Sequence, residues 1–247
     1  MEKSAHIPYQ VLHTLKQAGL ETAWPTRCAL CDKPGAPLCE ACKLSLPFID
    51  QSLACPLCGA PAGLRQCTEC NSVMLRTCGL SRLPFDSCSN SVVLDERSLK
   101  VVTTFKDGGE RLLGDQIAFY LACLVNPSWY NTLNAITYVP ASPQSMKRRG
   151  FDHGMLLAHA LSAAIGIPSL GLLARPATQD QRRLNRLERL ENMRQAFAVN
   201  PAAKPKMPRS VLLIDDVMTT GATLYAASMA LKANGAQQVR CLTFARA

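Results

Sequence analysis

Hydrophobic and polar positions fall along this chain in blocks that predict a sheet flanked by helices. Residues 211–214 are four consecutive aliphatic residues, a pattern typical of a strand buried on both faces. Two carboxylates, Asp215 and Asp216, come at the carboxyl end of that strand. A turn rich in threonine then leads into an apolar helix that runs to Gly235. The segment therefore predicts a strand, a turn and a helix.

Other segments of the chain fit the same α/β class. Residues 135–140 predict a short buried strand that ends at a proline, and residues 238–244 predict a final strand. Helices are predicted from Asp95 to the glycine pair at 108–109, over 110–125 and over 155–165. In the first of these helices, Leu99, Val102 and Phe105 form the predicted apolar stripe. Residues 9–18 predict a short helix in an N-terminal arm without chemistry.

Eight cysteines form four Cys-x-x-Cys pairs ahead of these elements. They are Cys28, Cys31, Cys39, Cys42, Cys55, Cys58, Cys67 and Cys70. Two residues between thiolates let one tight turn aim both sulfurs at one ion, and tetrahedral Zn²⁺ takes two such pairs. We expect two structural zinc sites, with redox or iron–sulfur chemistry as the alternative. Consecutive pairs are expected to share a metal because residues 43–54 are typical of a connector, whereas a cross-brace would join alternate pairs.

The remaining four cysteines, Cys78, Cys88, Cys123 and Cys241, lack partners at ligand spacing and are expected to be ordinary core or surface residues.

No apolar run approaches the ~20 residues needed to cross a bilayer, and the first 20 residues lack the apolar core of a signal peptide. We therefore expect a cytoplasmic protein. In that compartment thiols stay reduced, so twelve cysteines favour metal binding over a disulfide scaffold.

Positive charge is concentrated in the second half of the chain. The net charge is +9, and residues 145–209 contain twelve Lys or Arg against four Asp or Glu, a local charge of +8. Such a segment predicts contact with an anion, and phosphate, pyrophosphate and nucleic acid are the candidates. The alternative is a solvated basic surface.

The turn after the strand at 211–214 predicts a phosphate site. In a parallel sheet, ligands bind beyond the carboxyl ends of strands, where the next helix presents unpaired N–H groups. The residues expected to cradle the phosphate are Thr219, Thr220, Gly221, Ala222 and Thr223. Asp215 and Asp216 would repel a phosphate but suit sugar hydroxyls or a phosphate-bound Mg²⁺. A ribose phosphate would satisfy both halves, whereas the alternative is a capped strand and helix with a coincidental acidic pair.

Basic residues near a second strand end predict a site for a further anion. A tight turn at 141–143 follows the strand at 135–140, and a basic cluster comes next. The candidate pyrophosphate ligands are Lys106, Lys147, Arg148, Arg149, Arg182 and Arg183. Lys106 is interpreted as a phosphate ligand on a mobile loop or as a solvated lysine. The arginine-rich segment 179–197 is interpreted as a basic lid or as an exposed helix.

These motifs resemble a known family. Residues 211–224 resemble the phosphoribosyl-pyrophosphate (PRPP) loop of type I phosphoribosyltransferases, in which the paired acids hold the ribose 2′ and 3′ hydroxyls and the threonine-glycine turn holds the 5′-phosphate. From Cys28 to Ala247, the order of motifs is similar to that of the bacterial ComF/GntX family. These are phosphoribosyltransferase-like proteins with an N-terminal zinc module, linked to natural competence and the use of external DNA.

The resemblance implies an N-terminal arm (1–27), a double zinc ribbon (28–75) and a type I phosphoribosyltransferase-like α/β domain (90–247). It implies PRPP or a related phosphorylated ribose as ligand, with Mg²⁺, and single-stranded DNA and DNA-uptake machinery as partners. Family members usually have asparagine where this chain has Asp152. Few residues follow the PRPP loop to select an acceptor base, so no catalytic residue is assigned. Three functions stay open. The chain is a PRPP-binding protein of DNA uptake, an active transferase that acts on a small nitrogenous acceptor, or a nonenzymatic zinc adaptor for nucleic acid.

Overall fold

The chain divides into two compact units, which a computed structural model describes over residues 25–77, 79–174, 197–203 and 206–247. The first unit ends at Ser45, and the second extends from Leu46 to Ala247. The first contains the first four cysteines and helix α1 (Glu40–Leu44). No helix in the described part of the chain combines the length and apolar character that spanning a bilayer requires. The predicted boundaries at 28–75 and 90–247 stay a prediction.

The larger unit is built on a four-stranded parallel sheet with the strand order β1-β6-β5-β2. The strands in chain order are β1 (Ser87–Val93), β2 (Ala135–Tyr138), β3 (Leu173–Ala174), β4 (Ala198–Val199), β5 (Ser210–Met218) and β6 (Gln238–Arg246). The short strands β3 and β4 form a separate antiparallel pair. The inner strands β5 and β6 are almost continuously buried, and the aliphatic run at 211–214 of β5 is typical of such a strand.

Helices cover both faces of the sheet. The helices of the larger unit are α2 (Ser72–Thr77), α3 (Glu96–Lys106), α4 (Leu113–Cys123), α5 (Pro143–Arg149), α6 (His153–Ile165) and α7 (Ala222–Ala233). Of these, α4, α6 and α7 contact the strands of the sheet. Helix α7 shares one apolar cluster with Val211 and Leu213 of β5. Because strand side chains alternate, Leu212 and Ile214 belong to the other face, where α4 contacts β6 and α6 contacts β2. The predicted class, a parallel sheet flanked by helices, is confirmed.

Strand β1 was not predicted, because its sequence lacks the apolar pattern of a buried strand. It contains Asn90 and Ser91, which are nevertheless 0% and 4% exposed. Asn90 donates to the carbonyls of Cys58 and Gly59 at 3.3 and 2.9 Å and accepts from the hydroxyl of Thr243 at 2.6 Å. These long-range hydrogen bonds satisfy a polar side chain that the sequence alone would place on the surface.

Helix α3 begins as its sequence predicts, but it buries a different set of residues. Asp95 caps the helix by accepting from the backbone N–H of Ser98. Val102 and Phe105 are buried as expected, whereas Leu99 is 48% exposed and the small side chain of Ser98 is buried in its place. The buried face of the helix therefore differs from the predicted apolar stripe. Ser98 donates to the carbonyl of Val93, and this hydrogen bond holds the first turn of the helix against the end of β1.

Several predictions fall outside the described residues. They concern the helix at 9–18, Cys78, Arg182, Arg183 and most of the arginine-rich segment 179–197. Cys88 and Cys241 are core residues and Cys123 is exposed, as expected for cysteines without metal ligation.

Candidate ligand site and cysteine clusters

A cavity of about 280 Å³ opens beyond the carboxyl ends of strands β2 and β5. Its lining comes from the end of α3, the turn after β2, helices α5 and α6, and the end of β5 with the turn that follows it. In a parallel sheet this edge is where helix N-termini and strand-end loops converge. The cavity is close to the lower end of the sizes usual for small-molecule sites.

Strand β5 places the acidic pair against this cavity. The strand extends to Met218, so Asp215 and Asp216 lie inside it and not after it, and both are buried. Asp215 lies in register with Thr243 of β6. Each carboxylate accepts a hydrogen bond from the next backbone N–H, Asp216 N and Val217 N, at 2.9 Å. The acids are therefore held by the strand, with little freedom to turn away from the cavity.

The threonine-glycine turn joins β5 to helix α7. Gly221 caps the helix with φ 77° and without a side-chain cap, so the first N–H groups of the helix have no intrahelical acceptor. A Cβ on Gly221 would lie 2.8 Å from both Met218 Cε and Tyr225 Cζ, so this position requires glycine both for its φ and for space. Thr219 and Thr223 line the cavity. The turn therefore offers hydroxyls and helix N–H groups to an anion.

Lys106 forms an ion pair with Asp216 inside the cavity. Lys106 is the last residue of helix α3, so it projects from a helix end just before the glycine pair at 108–109. The Asp216 side chain is 4% exposed and that of Lys106 is 21% exposed. A carboxylate so deeply buried needs a counter-charge, and the lysine supplies it.

Arg149 is the arginine of the basic cluster that reaches the cavity. Its Nε donates to Asp107 Oδ1 at 2.8 Å, and its Nη1 lies 3.3 Å from His153 Nδ1. The hydrogen bond from Arg149 holds the pKa of Asp107 below its ordinary value. Arg148 contacts the same Asp107 oxygen at 2.9 Å but stays exposed. Asp107 thus orients Arg149 toward the cavity.

Asp152 organises the turn after β2 rather than repelling an anion. Its two carboxylate oxygens accept from Ala141 N at 3.0 Å and Met155 N at 3.1 Å, so it caps helix α6 and fixes the strand-end turn. The charge of Asp152 is therefore directed at backbone donors. Gly154 lets α6 begin close to β2, because a Cβ there would lie 2.6 Å from Val139 O.

The structure brings together the predicted residues Lys106, Arg149, Asp215, Asp216, Thr219 and Thr223. Among the described residues that were also predicted, Lys147, Arg148, Thr220, Gly221 and Ala222 do not line the cavity. His153 lines it without having been predicted, because a histidine at the start of an apolar helix carries no motif. One ligand atom each from His153, Asp215 and Asp216 lies within 4.8 Å of the others, a spacing that could hold a cation.

The eight paired cysteines form two clusters of four. The first contains Cys28, Cys31, Cys39 and Cys42, and the second contains Cys55, Cys58, Cys67 and Cys70. The predicted pairing of consecutive Cys-x-x-Cys pairs is confirmed, and the cross-brace is not formed. Sulfur atoms lie 3.6 Å apart for Cys31 and Cys39 and 3.5 Å apart for Cys58 and Cys67. Four sulfurs at ~2.3 Å from one zinc ion would be about 3.8 Å from each other, so both clusters fit a tetrahedral metal.

Backbone donors favour the thiolate form of Cys28 in the first cluster. Burial opposes ionisation of Cys28, but the backbone N–H groups of Cys39, Cys31 and Leu30 outweigh it and lower the pKa of the thiol to about 6. The Cys39 N–H lies 3.4 Å from the Cys28 sulfur. In the same cluster, burial and hydrogen bonds with the neighbouring thiols raise the pKa of Cys42 to about 12. Metal binding requires thiolates, so an ion in this cluster would have to displace the proton of Cys42.

The second cluster belongs to the larger unit and contacts its sheet. Cys55, Cys58 and Cys70 are buried. Asn90 of β1 holds the carbonyls of Cys58 and Gly59, and Arg246 of β6 donates to the carbonyl of Cys58 at 3.3 Å. The cysteine loop thus packs on the β1–β6 side of the sheet through hydrogen bonds to named polar side chains.

The chain is similar to three competence proteins. Competence protein F of Haemophilus influenzae is 35% identical over 116 residues, which cover 46% of this chain and 50% of that protein. Competence protein ComFC of Bacillus subtilis is 26% identical over 204 residues, or 82% of this chain and 81% of that protein. ComFC of Streptococcus pneumoniae is 26% identical over 232 residues, or 89% and 100%. The match to the Haemophilus protein thus spans half of its length, and the predicted relation to ComF proteins is confirmed.

Family models and solved structures give no match as informative as the three competence proteins. No family model matches the chain. The adenine phosphoribosyltransferase of Leishmania tarentolae aligns over 58% of this chain and 74% of its own, with 16% identity and a TM-score of 0.34. That score is too low to establish a shared fold.

Proposed function

We propose that this chain, a homologue of competence protein F and ComFC, is a phosphoribosyltransferase-like protein that binds PRPP or a related phosphorylated ribose and serves DNA uptake. One observation carries the proposal. A single cavity joins the acidic pair of β5, the hydroxyl-rich turn before α7, and two basic side chains from α3 and α5. Those are the three kinds of group that a ribose bearing phosphate and pyrophosphate needs.

Each part of such a ligand has a matching group. The 5′-phosphate would accept hydrogen bonds from Thr219, Thr223 and the first N–H groups of α7. Asp215 and Asp216 would accept from the ribose hydroxyls or hold a Mg²⁺ that the ligand brings. Arg149 and Lys106 would contact the pyrophosphate. The catalytic residues stay unassigned.

Each of the two cations that line the cavity is paired with an acid. Lys106 pairs with Asp216, and Arg149 pairs with Asp107. A bound pyrophosphate would offer each cation a new partner, while sugar hydroxyls or Mg²⁺ would compensate Asp216. Binding therefore exchanges one set of charge pairs for another and avoids leaving a buried charge alone. This exchange favours a ligand with both an anionic and a hydroxyl-bearing part.

We extend the proposal to metal and partners. The two cysteine clusters would each hold one structural Zn²⁺, because four thiolates leave no coordination position for a substrate. The basic half of the chain would bind single-stranded DNA in the cytoplasm and work with proteins of the uptake machinery. Its charge supports a nucleic-acid partner, and the names of the homologues support a role in competence.

The test measures PRPP binding by calorimetry, with and without Mg²⁺, for the wild-type chain and for Asp215→Asn/Asp216→Asn. The double variant keeps the shape of both side chains and removes their charge. Affinity should fall by about 1.5–3 kcal/mol for each charged hydrogen bond lost. A control that removes two exposed carboxylates, Glu96→Gln/Asp115→Asn, makes the same change in net charge away from the cavity and should leave affinity unchanged.

The same samples decide between the alternatives. Pyrophosphate release that depends on one base from a panel would make the protein an active transferase. DNA binding without any PRPP binding would favour the nonenzymatic adaptor. Unaltered PRPP affinity in a folded Asp215→Asn/Asp216→Asn protein would overturn the assignment of the cavity.

A further inference from the structure

Arg246 is a buried arginine whose contacts join the second cysteine cluster to the ligand turn. It lies at the end of β6 and is 2% exposed. Its Nη1 donates to Cys58 O at 3.3 Å and lies 2.8 Å from Met218 Sδ, while its Nη2 lies 3.9 Å from Cys58 Sγ. Its Nε has no hydrogen-bond partner among the described residues. A guanidinium buried in this way needs a compensating negative charge.

The second cluster can supply that charge when it holds a metal. One Zn²⁺ with four thiolates carries a net charge of −2. Among the described contacts of Arg246, the group that can belong to such an anion is the sulfur of Cys58. Charged and hydrogen-bonded partners around metal ligands fix the ligands and are in turn fixed by them. Metal in this cluster would therefore hold the Arg246 guanidinium in place.

From Arg246 the contacts continue directly to the turn before α7. Met218 is the last residue of β5 and pairs in register with Arg246. Its methyl group packs so closely on Gly221 that a Cβ there would lie 2.8 Å from it. The backbone is tied as well, because Ala247 N donates to Met218 O at 3.0 Å. A displacement of the Arg246 side chain would therefore shift the Met218 side chain, which is in contact with Gly221.

A second connection reaches the acidic pair. Asn90 holds the backbone of Cys58 and Gly59 and accepts from Thr243. Thr243 is the register partner of Asp215. Residues of the cysteine loop are thus linked to both halves of the cavity through β1 and β6.

From these contacts we infer that Arg246 is a positioning residue, through which metal in the second cysteine cluster sets the conformation of the turn at 219–221 and hence the affinity of the cavity. The inference about affinity rests on the proposed ligand, whereas the inference about the turn does not. The first cluster has no such connection among the described contacts of Arg246, which makes it a matched control.

The experiment compares four full-length variants, Arg246→Met, Arg246→Lys, Cys58→Ser and the control Cys31→Ser. Zinc is counted by mass spectrometry, and hydrogen exchange is followed at residues 219–223 without ligand. PRPP affinity is then measured by calorimetry. The wild-type chain should contain close to two zinc ions, one for each cluster.

Arg246→Met should speed exchange at the turn and weaken PRPP binding by about tenfold or more, the scale on which losing a partner of a metal ligand acts. Arg246→Lys keeps the positive charge, so it should lose less PRPP affinity than Arg246→Met and change exchange at the turn less. Cys58→Ser should release the second metal and disturb the turn in the same way. Cys31→Ser should release the first metal and leave exchange at 219–223 unchanged.

The inference is overturned if turn exchange and affinity stay at wild-type values in folded Arg246→Met and Cys58→Ser, or if Cys31→Ser disturbs the turn as much as Cys58→Ser. If Arg246→Met does not fold, Arg246→Lys and the two cysteine variants decide. Absence of PRPP binding in the wild-type chain would count against the proposed function alone, because exchange at the turn still tests the role of Arg246.

Discussion

Single residues in the cavity and in the turn beside it each have a separable physical task. Asp216 and Lys106 neutralise one another, whereas Gly221 contributes no functional group and acts through its missing Cβ. Glycine at this position allows φ 77° and the contact with Met218 and Tyr225 at once. These two effects can be separated because another glycine, Gly166, has a similar φ of 73° with nothing within 4 Å of its absent Cβ.

Gly221→Ala should therefore lower the free energy of unfolding more than Gly166→Ala does. In both variants a left-handed alanine costs about 1 kcal/mol of stability. At Gly221 the new methyl must also displace Met218 and Tyr225, which adds to the loss and shifts the turn. Urea unfolding gives the two stabilities, and calorimetry with PRPP gives the affinities. Equal losses of stability, with unchanged binding in Gly221→Ala, would show that the close contact is unimportant.

At the scale of elements, the site depends on how two strand ends are joined to the helices that follow. The β5 connection was predictable, since an aliphatic run, an acidic pair and a glycine turn are local signals. The connection after β2 was predicted as a tight turn followed by a basic cluster, and the structure adds helix α5, capped by Ser142. The double role of Asp152 could not be predicted, because one of its partners is Ala141, which the sequence does not mark.

Asp152→Ala should destabilise the fold by about 1–2 kcal/mol through loss of the cap of α6, and more through the unpaired Ala141 N–H. Asp152→Asn should cost less, because asparagine is an equally good cap, although its single oxygen cannot serve both amides as the carboxylate does. Chemical denaturation compares the two variants. A cost for asparagine equal to that for alanine would contradict the capping role.

At the scale of the whole molecule, the sequence predicted groupings of residues that are close in sequence, whereas contacts between individual side chains far apart in the chain were not predicted. Composition and spacing indicated both cysteine clusters, because their ligands are close in sequence. The ion pair between Lys106 and Asp216 joins residues far apart in the chain and follows only from the sheet order. Strand β1 was missed for a related reason, since its polar side chains are satisfied by distant partners.

The basic half of the molecule supports a prediction about DNA. Replacing Arg182, Arg183 and Arg186 by alanine should weaken binding of single-stranded DNA, because fewer counterions are released. The slope of log affinity against log salt should become shallower by up to about 2. Fluorescence anisotropy over a range of salt concentrations measures this. Asp215→Asn/Asp216→Asn is the control and should keep its DNA affinity, and a triple variant with an unchanged slope would place DNA elsewhere.

The strand order β1-β6-β5-β2 has a consequence for protein synthesis. Among the described strands of this sheet, the two inner strands, β5 and β6, are translated after the two outer strands, β1 and β2. On the ribosome, β1 and β2 must therefore wait without their sheet partners, and such non-local pairing is slow to form. The polar sequence of β1 suits this delay. Serine and asparagine in place of aliphatic residues make an unpaired strand less prone to aggregate with other nascent chains.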